Sequence, residues 1–521
     1  MKLTILETSD IHANIYPTNY FDEDEQPYGL LKVASAIKKE INQIDGEYLL
    51  IENGDFIQGT PLGHYVSRYA DEPDRLVEGL NAIGYDAGTL GNHEFNFGKS
   101  YVESAINALN FPILSANILD ENGESFGDKP YTIIEKGDLK VAVLGLTTQY
   151  IPHWEIEPNI KGLTFSSAVE KAKEWAPKLK EMADILIVTY HGGFERDMAS
   201  GKVTENLTGE NEGYQLIDEV PEIDVLLTGH QHRKIATHIK GKPVVQPGYR
   251  GEYVGKIVLD IDDTTKKIVH SDPTLLTTKD YPLNEKVKDI YDPLEEDLDN
   301  WLNKVIGRTG EEMAITDTME ARMYEHPYIE FVNRMQLDIS GADISSTSLF
   351  TDTQPGFPKE IRVIDVMVNY GYPNVLAVIE VTGEELKKAM EQSSAFFKIS
   401  DQSEIIPFYY EKNVKPQPYL YDMYEGIDYV IDISQPIGER IVKLEFKGQV
   451  VKADDTFKLV TNQYRANGGG NYDMFYEKPF IDEWETPISE QMVDYISSKE
   501  YIKTDVNHNF KVIASELEKD I

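Results

Sequence analysis

The 521-residue chain contains no cysteine, which excludes disulfides, thiolate zinc sites and cysteine nucleophiles. Any metal must then be held by His, Asp, Glu or Asn. Positive charge is scarce too: 50 Lys and Arg against 90 Asp and Glu leave a formal net charge of −40. Binding to nucleic-acid polymers or anionic membrane surfaces depends on Lys and Arg meeting phosphates, so neither is an expected partner. No run of about 18 apolar residues is available to span a bilayer. The opening residues Met1 to Asp10 lack the apolar core and small-residue cleavage site of a secretory leader. A cytoplasmic location is therefore the expectation, and no protein partner is inferred. Internal repeats and low-complexity tracts are missing as well.

What is present is a globular composition, 41% hydrophobic with 31 Tyr, in a chain long enough for two cores. In the first half, apolar runs at 48–51, 140–144, 185–189 and 225–227 are rich in Val, Ile and Leu and predict buried strands. Leu30, Ala34, Ile37, Ile41 and Ile44 fall at helical spacing between the first two strands. This alternation is the pattern of an α/β domain. After Asp272 the pattern changes. Val287, Ile290, Tyr291, Leu294, Leu298, Leu302 and Val305 keep 3 or 4 spacing through an acidic stretch and predict a connecting helix, kinked or started late by Pro293. The expected organisation is a domain over 1–279, a linker helix over 280–308 and a second domain over 309–521. The second domain reads as mixed α+β, with strands at 361–368, 375–381, 429–433, 442–446 and 457–461 and helices starting near Pro327 and Gly383.

The first half is most informative at the ends of its strands. Ser9-Asp10-Ile11-His12, Asn53-Gly54-Asp55, Gly91-Asn92-His93, Tyr190-His191-Gly192-Gly193 and Gly229-His230-Gln231-His232 all lie just past a predicted strand. Open α/β sheets gather their ligand sites at that edge. Asp10 and His12 stand two apart, as do His230 and His232, a spacing that turns both side chains of a pair to one side. With Asp55, Asn92 and His191 they make seven N or O donors, enough for two divalent ions sharing a bridging carboxylate. A lone strand-end His is ordinarily a hydrogen-bonded structural residue. Five of the 11 histidines in such turns are more than that reading accounts for. His64, His153, His238, His270, His326 and His508 show no such clustering and are read as structural.

The series TSDIHAN, NGDFIQGTP, GNHEFNFG, YHGG and GHQH resembles the calcineurin-like metallophosphoesterases, and with its C-terminal half the chain resembles the two-domain 5′-nucleotidase family. The resemblance implies an N-terminal four-layer αββα sandwich, a linker helix and a C-terminal α+β nucleotide-binding domain. It implies two divalent ions (Mn, Zn, Co or Mg), one held by Asp10, His12, Asp55 and His232, the other by Asp55, Asn92, His191 and His230. His93 matches the family's catalytic histidine, which stabilises phosphoryl oxygens or protonates the leaving oxygen, with water activated by the metals as nucleophile. Many 5′-nucleotidases carry NHEFD, where the Asp pairs with this histidine; here the position is Asn96. An amide orients an imidazole without stabilising imidazolium as a carboxylate does, and the alternative is that Asn96 only caps the turn.

In the second half, Tyr421 and Tyr464 match by position the two aromatic residues that sandwich the nucleobase, a contact worth ~1–3 kcal/mol per base. Two expected groups are missing. Gly341-Ala342-Asp343 is followed by no Arg, and the family's ribose-binding aspartate falls on Gly470. These departures, with EGIDYVIDISQPIGERI, TNQYRANGGG and NHEFN, resemble the 2′,3′-cyclic-nucleotide 2′-phosphodiesterase/3′-nucleotidase branch. That branch implies opening of a 2′,3′-cyclic nucleotide to a 3′-nucleotide and removal of its 3′-phosphate. The rival expectations are a broad 5′-nucleotidase or nucleotide-sugar hydrolase, and a nucleotide sensor with weak turnover.

Overall fold

The structure is a computed structural model that describes every residue except 21–23, 71, 372–373, 411–416, 477 and 518–521. Packing divides the chain into two units, Met1–Asp299 and Asn300–Ile521. The first unit carries fourteen strands among its described residues: β1 Lys2–Thr8, β2 Glu47–Glu52, β3 Ala87–Thr89, β4 Ile113–Leu114, β5 Ile118–Leu119, β6 Tyr131–Lys136, β7 Leu139–Thr147, β8 Thr164–Phe165, β9 Ile185–His191, β10 Val225–Thr228, β11 Lys234–Ile239, β12 Lys242–Pro247, β13 Tyr253–Ile261 and β14 Ile268–Thr277. They form two six-stranded sheets, in the orders β14-β13-β1-β2-β3-β4 and β11-β12-β10-β9-β7-β6.

Period-2 alternation decides how these sheets stack. Leu3, Ile5, Leu49 and Ile51 of the first sheet share one buried core with Val141, Val143, Ile185, Ile187, Val225 and Leu227 of the second. The intervening residues Ala142, Leu144, Leu186, Val188 and Leu226 turn the other way, onto Ala168, Ala172, Ala176 and Leu179 of the helix Ala168–Met182. The helix Leu30–Ile41 packs on β13 of the first sheet. The result is the four-layer αββα sandwich.

Within each sheet the central strands run parallel: β1, β2, β3 and β4 in one, β7, β9, β10 and β12 in the other. Their carboxyl ends therefore deliver the five motif turns to one edge of each sheet. The helix Glu285–Leu302 falls inside the 280–308 stretch and continues through Pro293. Among the described residues no helix is long and apolar enough to cross a membrane.

The second unit is α+β. One five-stranded sheet orders Asp422–Glu425, Ile344–Ser348, Thr456–Asn462, Val375–Thr382 and Phe480–Pro487. A four-stranded sheet orders Gln449–Val450, Ile441–Phe446, Asp428–Asp432 and Phe510–Ile513. Helices start at Pro327 and Gly383 as expected. The strand expected over 361–368 is corrected: only Glu360–Arg362 is strand, and Val363–Asn369 is a helix. A short continuous apolar run carries no period that separates a buried strand from a buried helix.

Candidate active site

Each turn at the sheet edges is locked by backbone bonds to its neighbour. The N–H of Asp10 donates to Gly54 O at 2.9 Å, and that of His12 to Asp55 O at 2.8 Å. Asp10, His12, Asp55, His230 and His232 all hold positive φ, between 52° and 66°. Non-glycine residues rarely occupy this region, and such strain concentrates at functional sites. The adjoining glycines leave no room for a side chain: a Cβ on Gly91 would run into the Asp55 carboxylate, and one on Gly229 into Ser9 and Asp10.

These turns bring seven side chains together. Asp10, His12 and His232 present ligand atoms within 4.8 Å of one another, and so do Asp55, His191 and His230. Asn92 Oδ1 lies 2.8 Å from His230 Nδ1. Asp55 touches both groups, its Oδ2 being 3.8 Å from His12 Nε2 and 3.1 Å from His191 Nε2. The outward nitrogens are already engaged: His12 Nδ1 donates to Gln58 O at 3.0 Å and His191 Nδ1 to Asn53 O at 2.6 Å. Their Nε2 atoms therefore face the cluster, as those of histidines that bind metals do.

Three observations test whether the site suits divalent cations. Asp55 Oδ2 and His191 Nε2 are buried without a well-formed hydrogen bond. His12 Nε2 and His232 Nε2 sit 3.0 Å apart, both turned toward Asp10 Oδ1 at 3.9 and 3.4 Å. Burial would push the His191 imidazole down, but Asp55 and Asp10 hold it up at about 10, whereas burial takes His12 down to about 4. Imidazole nitrogens and carboxylates converging on shared, unfilled lone pairs fit a hard or borderline divalent ion.

His93 stands at the rim. Its N–H donates to Asp55 Oδ1 at 2.8 Å, and its Nδ1 meets Asn96 Oδ1 at 2.7 Å. Asn92, His93, Asn96, Ile151, Trp154, Glu155 and His230 line a cavity of about 260 Å³ beside the cluster.

In the second unit a pocket of about 270 Å³ is lined by Ser348, Phe350, Asn374, Tyr419, Asn462, Tyr464 and Arg465. Tyr464 is 47% exposed. Tyr421 is corrected: it is 0% exposed, its ring lies against Phe396 and Phe397, and no ligand reaches it in this arrangement. The tyrosine that shares the pocket with Tyr464 is Tyr419. Arg465 fixes this wall through a two-pronged bond to Asp422, at 2.8 and 3.1 Å, and a bond to Tyr419 O at 2.7 Å. At Gly470, φ is +74° and a Cβ would stand 2.5 Å from Arg465 Nη1, so an aspartate there would have to displace the guanidinium.

Comparison with known proteins agrees with both units. The calcineurin-like phosphoesterase family model matches residues 3–234, and the 5′-nucleotidase C-terminal domain model matches residues 305–477. A crystal structure of a candidate 5′-nucleotidase from Staphylococcus aureus, in complex with α-ketoglutarate, is 36% identical over 98% of this chain and 100% of that one, with a TM-score of 0.87. The chain belongs to the two-domain 5′-nucleotidase family of calcineurin-like metallophosphoesterases. This family member is also 28% identical to the 2′,3′-cyclic-nucleotide 2′-phosphodiesterase/3′-nucleotidase of Salmonella typhimurium, over 90% of this chain and 82% of the relative. It is 27% identical to the trifunctional nucleotide phosphoesterase YfkN of Bacillus subtilis, over 98% of this chain but only 39% of that longer protein.

The metallophosphoesterase unit also relies on residues that sequence reasoning passed over. Glu94 accepts from the N–H groups of Asp55, Phe56 and Gly91 at 2.8, 2.6 and 2.6 Å, clamping two ligand turns together. Asn53 is tied to Glu7 and Thr189 at 2.9 and 2.6 Å, which holds the carbonyl that orients His191. Glu155 bonds to Asn96 at 2.8 Å. Asn53 and Glu94 lie inside the quoted motifs, but most of their partners, like that of Glu155, sit in turns far apart in the chain, so the motifs do not show what these residues hold.

Proposed function

We propose that this protein hydrolyses nucleotide phosphate esters, opening 2′,3′-cyclic nucleotides to 3′-nucleotides and then removing the 3′-phosphate. The observation that carries the chemistry is the shared position of Asp55 between two His-carboxylate groups with His93 at their rim. Asp10, His12, Asp55 and His232 would hold one divalent ion, and Asp55, Asn92, His191 and His230 a second. When bound, such ions supply activation of water and stabilisation of phosphoryl charge. His93 faces the same cavity, where its imidazole can donate to a phosphoryl or leaving oxygen. Asn96 keeps the ring turned that way.

Substrate choice rests on the second unit. Tyr419 and Tyr464 offer stacking surfaces for a base, tolerant of which base it is. Gly470, confined by Arg465, supplies no carboxylate for a ribose held as a 5′-nucleotide is held in the family. The cyclic phosphodiesterase name of the Salmonella relative supports the same choice, while the Staphylococcus relative supports 5′-nucleotide hydrolysis as the rival. Purified protein with Mn²⁺ should release phosphate from 2′,3′-cyclic AMP and 3′-AMP at least tenfold faster than from 5′-AMP or UDP-glucose. The reverse order overturns the substrate assignment.

A further inference from the structure

Asn96 is an amide whose two ends differ only in chemistry, so something outside it must decide which end faces His93. That group is a carboxylate 59 residues away in sequence. Asn96 Nδ2 donates to Glu155 Oε2 at 2.8 Å, and this leaves Asn96 Oδ1 to face His93 Nδ1 at 2.7 Å. Glu155 is itself held: its Oε1 accepts from Asn159 Nδ2 at 2.8 Å and from the Ile156 N–H at 3.0 Å. Asn159 Nδ2 also donates to the backbone carbonyl of Asn96, at 3.2 Å.

Burial raises the Glu155 carboxyl, but the N–H groups of Asn96, Asn159 and Ile156 all donate to it and favour its ionised form. An ionised carboxylate only accepts. Starting from Glu155, every bond in the chain therefore has one direction: Asn96 donates to Glu155 and accepts from His93. Nδ1 therefore keeps its proton in both the neutral and the protonated ring, and Nε2 is the nitrogen left to take up a proton and donate it. Without Glu155 the amide can turn over, present Nδ2 to the ring and force the opposite tautomer.

We propose that Glu155 is a positioning residue for His93, acting through Asn96: a negative group set one side chain further from the imidazole, with the amide relaying its direction. The inference rests on the phosphoesterase reading only for its kinetic consequences, since the tautomer of His93 can be observed without turnover.

The test is a set of four variants, assayed with Mn²⁺ on bis(4-nitrophenyl) phosphate and by ¹⁵N NMR of histidine-labelled, metal-free protein. Glu155→Ala should lower kcat by roughly 10–100-fold with KM within threefold, the usual range for losing a group that orients a site residue. Glu155→Gln keeps an acceptor and should lose about threefold. Asn96→Asp places two carboxylates at the 2.8 Å contact and should fall as far as Glu155→Ala. The double variant Asn96→Asp/Glu155→Gln restores donor against acceptor, the introduced amide donating to the introduced carboxylate, and should recover to within about threefold of wild type. In the spectra, wild type and the double variant should show one Nδ1–H tautomer for His93, and Glu155→Ala a mixture. The proposal is overturned if Glu155→Ala keeps wild-type kcat, or if the double variant is no better than Asn96→Asp alone. A wild type without activity on any phosphoester sinks the functional reading instead, and an unchanged His93 tautomer in Glu155→Ala then still overturns the relay.

Discussion

The histidine-carboxylate cluster of the first unit and the tyrosine pocket of the second make opposite demands on their residues. At the cluster each position needs a particular donor atom on a particular backbone conformation, which is why five of its residues sit at positive φ. A stacking wall needs only an aromatic face turned the right way. The cluster should therefore fail abruptly under single substitutions and the pocket by degrees. Asp55→Asn, which weakens the one carboxylate common to both groups, should lower kcat by about 10³-fold or more and reduce bound Mn²⁺ below two equivalents by elemental analysis. If Asp55→Asn retains a tenth of the activity, the shared-ligand reading is wrong.

His93→Ala should come next, losing about 10²–10⁴-fold in kcat, the range of a positioned proton donor. Metal content should not change, because His93 contributes only its backbone N–H to Asp55. Loss of metal together with activity would make His93 a ligand rather than a group acting on substrate.

The same contrast explains what could be read from sequence. That the seven donor positions would meet at one edge was legible because motif turns follow strand ends and parallel strands deliver those ends together; His93 was singled out by the family resemblance. Asn96 was legible as a departure, but its partner Glu155 was not, because the bond spans separate loops. Tyr421 was assigned by its position in the family resemblance, which does not carry the local backbone: Pro418–Leu420 forms a 3₁₀ turn, and beyond it Tyr421 lies in the aromatic core while Tyr419 lines the pocket. The strand expected at 361–368 failed for want of a period to read.

This misreading is itself testable. Tyr419→Ala and Tyr464→Ala should each raise KM for nucleotides by roughly 5–150-fold, the equivalent of ~1–3 kcal/mol of stacking, and leave thermal stability nearly unchanged. Tyr421→Ala should instead cost about 3–5 kcal/mol of stability, as removal of a fully buried aromatic does. Equal KM effects with equal melting temperatures across the three variants would erase the distinction between wall and core.

The smallest effect separates two acidic clusters that look alike on paper. Glu325, Glu330 and Glu425 of the second unit also converge within 4.8 Å, but no imidazole is among them, and Arg334 Nε lies 2.5 Å from Glu330 Oε1. Burial, then the neighbouring Glu325 and Glu425, push the Glu330 carboxyl well above the usual range, against the pull of Arg334. A raised carboxyl stabilises fully below its unfolded value of 4.5 and loses that contribution as pH climbs toward its folded value. Glu330→Gln removes the titrating group, so its stability relative to wild type should rise with pH. Between pH 6 and pH 8 the difference should grow by up to about 2.7 kcal/mol, the limit of about 1.36 kcal/mol per pH unit for one proton, read as a widening gap in Tm. A difference that stays flat across that interval would mean Glu330 is ionised in the fold, and the two clusters would be closer in kind than their donor sets imply.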